Sequence, residues 1–199
     1  TKDNRSIDFN LIKKISNEAF MPFSVGGGIS TIEHTQKCFE NGADKVILNT
    51  SALENPNILS EISNIFGKQS LVVSVDVKKG FFGGYKVMKN SGNVQSNVNL
   101  VDWIKKVCKI GVGEIMLTSI SNEGTMKGYD YELIKLVSEI STVPIIANGG
   151  AGNLSHLQKA VENGAHAVSA GSLFVYHGPR NAVLINYPQI NEINQIFIK

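Results

Sequence analysis

Two cysteines in 199 residues cannot build a disulfide framework. Cys38 and Cys108 stand in helix-like stretches and have no metal-ligand spacing. Their scarcity predicts free thiols in a reducing compartment, hence a cytoplasmic protein, and calls for no metal or other cofactor. Also missing is any run of about 18 apolar residues, or a basic segment leading into an apolar one. Neither a membrane span nor an export leader is expected. An excess of one charge is absent as well. A net charge of +2 gives no electrostatic footprint for nucleic acid or an anionic membrane surface. What the chain does have is 42% hydrophobic residues, enough for a single domain over 1–199 with a sizeable core.

Those apolar residues follow two rhythms. Short β-rich runs read PFSVGG, KVILNT, LVVSVDV, EIMLTSI, PIIANGG and AVSAGS. Between them lie TIEHTQKCFENG, NPNILSEISNIFG, VDWIKKVCKIG and YELIKLVSEIS, with apolar residues three or four apart, as in helices. Gly42, Gly67, Gly111 and Gly164 stand where these helices should end. The strands alternate little, which predicts burial on both faces in a parallel sheet. One segment breaks the rhythm. KKGFFGGYKVMKNSGNVQSNVN is polar and rich in Gly and Asn, and reads as a hairpin inserted between a strand and its helix.

One phrase occurs twice. PFSVGGGISTIEHTQKCFENGADKV aligns without a gap on PIIANGGAGNLSHLQKAVENGAHAV, Pro22 falling on Pro144, an offset of 144 − 22 = 122. Repeats of about 20–50 residues would indicate a solenoid; this period is longer and indicates a duplicated half-domain. It suits four strand–helix units of about 30 residues, half of a (β/α)8 TIM barrel of about 250. A doubly wound sheet would place one Gly-rich turn after its first strand rather than two matching ones. The expected fold is therefore α/β, a barrel of the phosphate-binding type with an internal half-barrel repeat. If Pro22–Gly27 is the third of eight strands and Pro144–Gly149 the seventh, the chain covers about strands 3–8. The first two strands then lie outside it, leaving two open sheet edges.

Each copy of the phrase puts Gly-Gly between a strand and a helix. Exposed backbone N–H groups and a positive helix end can hold an anion there. The next strands end in Asn49-Thr50 and in the matching Gly171-Ser172, which supply further donors. Tight turns alone would also explain glycines, but two copies, each with a second donor pair, indicate a ligand carrying a phosphate at each end. Asp76 ends the apolar run LVVSV, where it either caps the following loop or acts chemically at the barrel mouth. Thr118 and Ser119 end another strand.

In order along the chain, PFSVGGGI, NGADKVILNTSALENP, VVSVDVK, GVGEIMLTSI, EGTMKGYD and PIIANGGAG resemble landmarks of one family, the cyclase subunit of imidazole glycerol phosphate synthase. The resemblance implies a lyase/cyclase acting on a bisphosphorylated ribotide, with ammonia delivered by a separate glutaminase subunit docked at the other end of the barrel. It implies that Asp76 is one of two catalytic aspartates, a general acid/base, its mate falling at 76 − 122 = −46, ahead of Thr1, so that residues 1–199 alone are expected to be inactive. It assigns Gly28, Asn49 and Thr50 to one phosphate, and Gly124, Gly150, Gly171 and Ser172 to the other. Asn148 is placed beside the second site, and Thr118 or Ser119 in the substrate cleft. Lys78 is either a cation near substrate or a solvated loop lysine. Lys45 and Glu114, at strand starts, match members of a charged ring that gates ammonia, and Asp44 matches a residue of the docking surface.

Two features depart from that family. Its pattern after the sixth strand is acid-base-acid-Gly-Thr, where this chain has Ser121, Asn122 and Glu123 before Gly124-Thr125. The tail YHGPRNAVLINYP also differs from the usual last helix. Both resemble a paralogous branch of surface-polysaccharide loci, in which the barrel supplies ammonia for amidation of a sugar. A third reading is a non-catalytic fragment or scaffold that binds a glutaminase.

Overall fold

A computed structural model of the chain describes residues 6–81, 83–178 and 182–197. In chain order, α1 (Phe9–Glu18) precedes β1 (Ser24–Gly26), and α2 (Ile32–Glu40) leads to β2 (Lys45–Leu48). Two helices, α3 (Thr50–Glu54) and α4 (Asn57–Phe66), and a 3-10 turn at Lys68–Ser70 lead to β3 (Leu71–Lys79). That strand turns back into β4 (Tyr85–Lys89) and β5 (Val94–Gln95) before α5 (Leu100–Ile110). Then come β6 (Glu114–Ser119), α6 (Tyr131–Ser138), β7 (Ile145–Asn148), α7 (Leu154–Glu162) and β8 (Ala167–Ser169). The chain closes with α8 (Ser172–Val175), β9 (Tyr176–His177), β10 (Ala182–Val183) and α9 (Ile190–Phe197).

Six strands pair in parallel in the order β1-β2-β3-β6-β7-β8, a TIM-barrel type of sheet. Among the described residues β1 and β8 do not pair with each other. The expected hairpin is real: β4 runs antiparallel to β3, and β5 to β4. The repeated strands are shorter than their sequence signals, Pro22–Gly27 giving Ser24–Gly26 and Pro144–Gly149 giving Ile145–Asn148. The prolines bring no N–H to a ladder. The glycines leave it with positive φ, 97° at Gly27 and 93° at Gly149.

Alternation along the strands separates two faces. Leu71, Val73, Val75 and Val77 of β3 join Ile115, Leu117, Ile145 and Ala147 in a core packed on Leu59, Trp103, Ile104 and Leu133 of the helices. The opposite face carries Ile47, Ser74, Asp76, Glu114, Met116, Thr118 and Asn148. Ile47, Met116 and Ile146 are only half-buried there. The expectation of burial on both faces holds fully on the helix side and in part on the other, where Val72 and Thr118 are buried as well.

The half-barrel repeat is also visible in three dimensions. Thr31 caps α2 through the His34 N–H, and Asn153, 122 positions on, caps α7 through the His156 N–H. Asp8 and Asp130 cap α1 and α6 in the same way. Each such cap is worth about 1 kcal/mol. Where chemistry diverged, geometry did not. The Phe23 N–H donates to Asp44 Oδ2 at 2.9 Å, and the matching Ile145 N–H donates to His166 Nδ1 at 3.3 Å.

Candidate functional site

The register of β3 puts Asp76 opposite Thr118 on β6 and Met88 on β4, at the carboxyl end of the parallel sheet. It lies on the face turned away from the helix-packed core. Ser74, two residues earlier on the same face, donates to Asp76 Oδ1 at 2.8 Å. Burial pushes the Asp76 pKa above its ordinary value, while Ser74, Asn49 and Thr118 pull it back down. Asn49 does so although its buried Nδ2 meets no acceptor at strict hydrogen-bond geometry. Asn148 Nδ2 donates to Thr118 Oγ1 at 3.1 Å, which leaves the Thr118 hydrogen for Asp76. The result is a half-buried carboxyl held in place by neutral donors.

Asp76 opens into a cleft of about 390 Å³ whose walls include Gly28, Asn49, Thr50 and Ser74. Gly28 has φ 79°, a conformation that favours glycine. The hairpin tip supplies the remaining wall through Asn90 and Ser91. The Asn90 N–H donates to Thr50 Oγ1 at 2.9 Å, and Lys89 pairs with Glu54 at 2.7 Å, so the tip is tied to α3.

The second copy also gathers as the sequence indicates. Gly124, Asn148, Gly150, Gly171 and Ser172 surround one pocket, together with Glu123. That pocket has a volume of only about 10 Å³. The cause lies in the loop after β6, which folds onto the Gly-Gly turn. The Gly128 N–H donates to the Gly150 carbonyl at 2.8 Å, and Asn122 Nδ2 donates to the Gly128 carbonyl at 2.9 Å. The two repeats are thus equivalent in sequence and unequal in space. Thr118 joins Asp76, but Ser119 does not. It falls on the opposite face, where its hydroxyl donates to Asn122 Oδ1 at 3.3 Å.

At the amino end of the same strands, Lys45 Nζ and Glu114 Oε1 form an ion pair across β3. Four residues separate Glu114 from Thr118, about 13 Å along the strand. Lys45 and Glu114 therefore sit at the end of the sheet opposite Asp76. Asp44, beside them, is exposed and holds the start of β1 through Phe23. Among the described residues no group of three or more His, Cys, Asp or Glu side chains gathers as metal ligands would.

Ser74, Asn90 and Ser91 were not anticipated as site residues. Ser74 carried a readable signal, because Ser and Asp two apart in LVVSVDV are the only polar positions of that run. The hairpin tip carried none.

Comparison with known proteins shows the family. The family described as "Histidine biosynthesis protein" matches residues 1–179. The imidazole glycerol phosphate synthase subunit HisF of Dictyoglomus thermophilum is 44% identical over 174 residues, 87% of this chain and 69% of the relative. The subunit of the same name from Alkaliphilus metalliredigens is 41% identical over 88% of this chain and 70% of its own length. That of Lachnoclostridium phytofermentans is 39% identical over 98% and 76% respectively. With a match over most of the chain and a fold to suit it, the protein belongs to the histidine biosynthesis family, among the HisF cyclase subunits of imidazole glycerol phosphate synthase.

Proposed function

We propose that the protein converts a phosphoribulosyl-formimino aminoimidazole carboxamide ribotide to imidazole glycerol phosphate and aminoimidazole carboxamide ribotide. Ammonia comes from a glutaminase subunit, in the cytoplasm. The observation that carries this reading is the arrangement on one sheet face, with Asp76 over an open Gly-rich cleft at one end and the Lys45–Glu114 pair at the other. Asp76 serves as general acid/base. Its raised pKa brings it nearer neutrality, where a carboxyl can both accept and return a proton. Gly28, Asn49 and Thr50 hold one phosphate. Gly150, Gly171 and Ser172 hold the other once the Gly128 end of the loop after β6 lifts off the Gly-Gly turn, with Gly124 contributing from the loop itself. Asn148 and Thr118 orient the middle of the substrate and the carboxyl group. The test is turnover of the bisphosphorylated ribotide with ammonium salt by the full-length protein, which carries the second aspartate. Absence of turnover by that folded protein removes the cyclase reading.

The ion pair yields a second prediction. Partly exposed pairs contribute about 0–1 kcal/mol, so stability is a weak reason for placing Lys45 and Glu114 there. A gate that excludes water and admits neutral ammonia is a stronger one. With the glutaminase present, Lys45→Met is expected to lower glutamine-dependent turnover several-fold more than turnover on free ammonium salt. Equal losses, or none, would return the pair to the status of a rim contact.

One observation favours the polysaccharide-locus reading. Asn122, standing where the family has arginine, spends its amide on the Gly128 carbonyl and brings no positive charge to the second site. Under that reading the barrel passes ammonia to an acceptor enzyme. Folded protein then stimulates the glutaminase yet leaves the ribotide unchanged.

A further inference from the structure

The hairpin carries four lysines, and the strand register divides them into two kinds. Lys79 pairs with Glu132 at 2.8 Å, and Lys89 with Glu54 at 2.7 Å. Both belong to the side of the hairpin that bears the buried Val77 and Val87. Lys78 and Lys86 lie on the other side. They are exposed, directly opposite each other in the antiparallel ladder, and have no carboxylate partner among the described residues. Alternation puts them on the same face as Asp76 and Met88, the adjacent ladder pair on that face. They therefore stand one strand step, about 7 Å, outward from the carboxyl over the cleft.

Like charges directly opposite on a ladder destabilise it. Two lysines so placed, when their neighbours on the same strands have carboxylates to hand, mark a position suited to an anion from outside. We propose that Lys78 and Lys86 form a two-lysine capture site for a phosphate group at the barrel mouth, which draws a phosphorylated ligand toward Asp76. The inference rests on the phosphorylated ligand proposed above and adds a third anion contact, distinct from both Gly-rich turns. A shallow cationic rim of this kind acts by raising local ligand concentration and association rate, and is screened by salt.

The experiment titrates inorganic phosphate into the protein at low ionic strength and at about 1 M salt, where the Debye length is about 3 Å. Lys78→Met, Lys86→Met and the double variant are each expected to weaken phosphate binding about 3- to 10-fold at low salt, with the difference vanishing at high salt. Lys86→Glu turns repulsion into attraction. It should weaken phosphate binding at least as much while raising the melting temperature by about 1–4 °C. With ribotide as substrate, kcat/KM should fall and kcat hold. Phosphate affinity independent of both lysines overturns the capture site, as does a Lys86→Glu melting temperature at or below wild type. Lysine-dependent phosphate binding without ribotide turnover keeps the capture site and removes the cyclase reading. Ribotide turnover with lysine-independent binding does the reverse.

Discussion

In the full-length protein, Asp76→Asn is expected to cut ammonia-dependent turnover about 10²- to 10⁴-fold, the range for a general acid/base, and to make the folded protein more stable at pH 7. Both effects come from the same burial. Asparagine keeps the shape and an acceptor oxygen for the Ser74 hydroxyl, so the hydrogen bond at Oδ1 survives. What is lost is the group that exchanges a proton. What is gained is the absence of a buried charge. The folded pKa lies above the ordinary 3.8, chiefly through desolvation. As pH rises from about that value, the unfolded chain releases the proton while the native chain still holds it, so stability falls across this window. Above the folded pKa the carboxylate is charged in both states and its desolvation cost is fully present. The neutral amide of the variant carries no such cost. Thermal melts should show the variant above wild type at pH 7, with the gap narrowing as the pH is lowered through the raised folded pKa toward 3.8 and closed below it. Wild-type turnover in the variant would sink the catalytic role. A gap that stays constant on acidification would mean that desolvation is not what raises the Asp76 pKa.

How far the sequence could lead is visible residue by residue. The six parallel strands were legible because each is a short apolar run, and the half-barrel repeat because caps and turn glycines recur in one register. Asp76 and Thr118 could be placed at one end, and Lys45 and Glu114 at the other, because strand direction follows from the order of strand and helix. The wall formed by Asn90 and Ser91 was not legible. It depends on a contact between Thr50 and a turn 40 residues away, held by a backbone N–H that no side-chain pattern records. Ser119 was ambiguous for a related reason. A strand end fixes which residues are near the mouth, but only the ladder register decides which of two neighbours faces it. The closure of the second Gly-rich site escaped the sequence altogether, since Gly128 meets Gly150 backbone to backbone. Side chains that could have announced the contact are absent at both positions, and their absence is what permits it.

That contact sets the second large expectation. Gly150→Ala should lower the melting temperature by roughly 5–20 °C, far more than Gly124→Ala in the same site. Gly150 has φ +106°, a conformation that costs an L-residue about 1–3 kcal/mol. A Cβ there would also lie 2.2 Å from the Gly128 carbonyl oxygen and 2.9 Å from Asn122 Cβ. The first of these is backbone, bonded back to Gly150 through its own N–H, so it cannot turn aside as a side-chain tip could. Relief requires opening the loop after β6, and overpacking of this kind adds about 1–3 kcal/mol. For a chain of this size each kcal/mol moves the melting point by about 2–4 °C. Gly124 provides the control. It has φ +72° but nothing within 4 Å of the place a methyl group would take, so alanine there meets the conformational cost alone. Thermal melts of the two variants separate the effects. Equal drops would show that the Gly128–Gly150 contact does not constrain the fold in solution. A deep drop confined to Gly150 would show that the second Gly-rich pocket is shut by a backbone contact. In that case a ligand must displace the Asn122–Gly128 loop to enter, and binding at the second site should be slower than at the first.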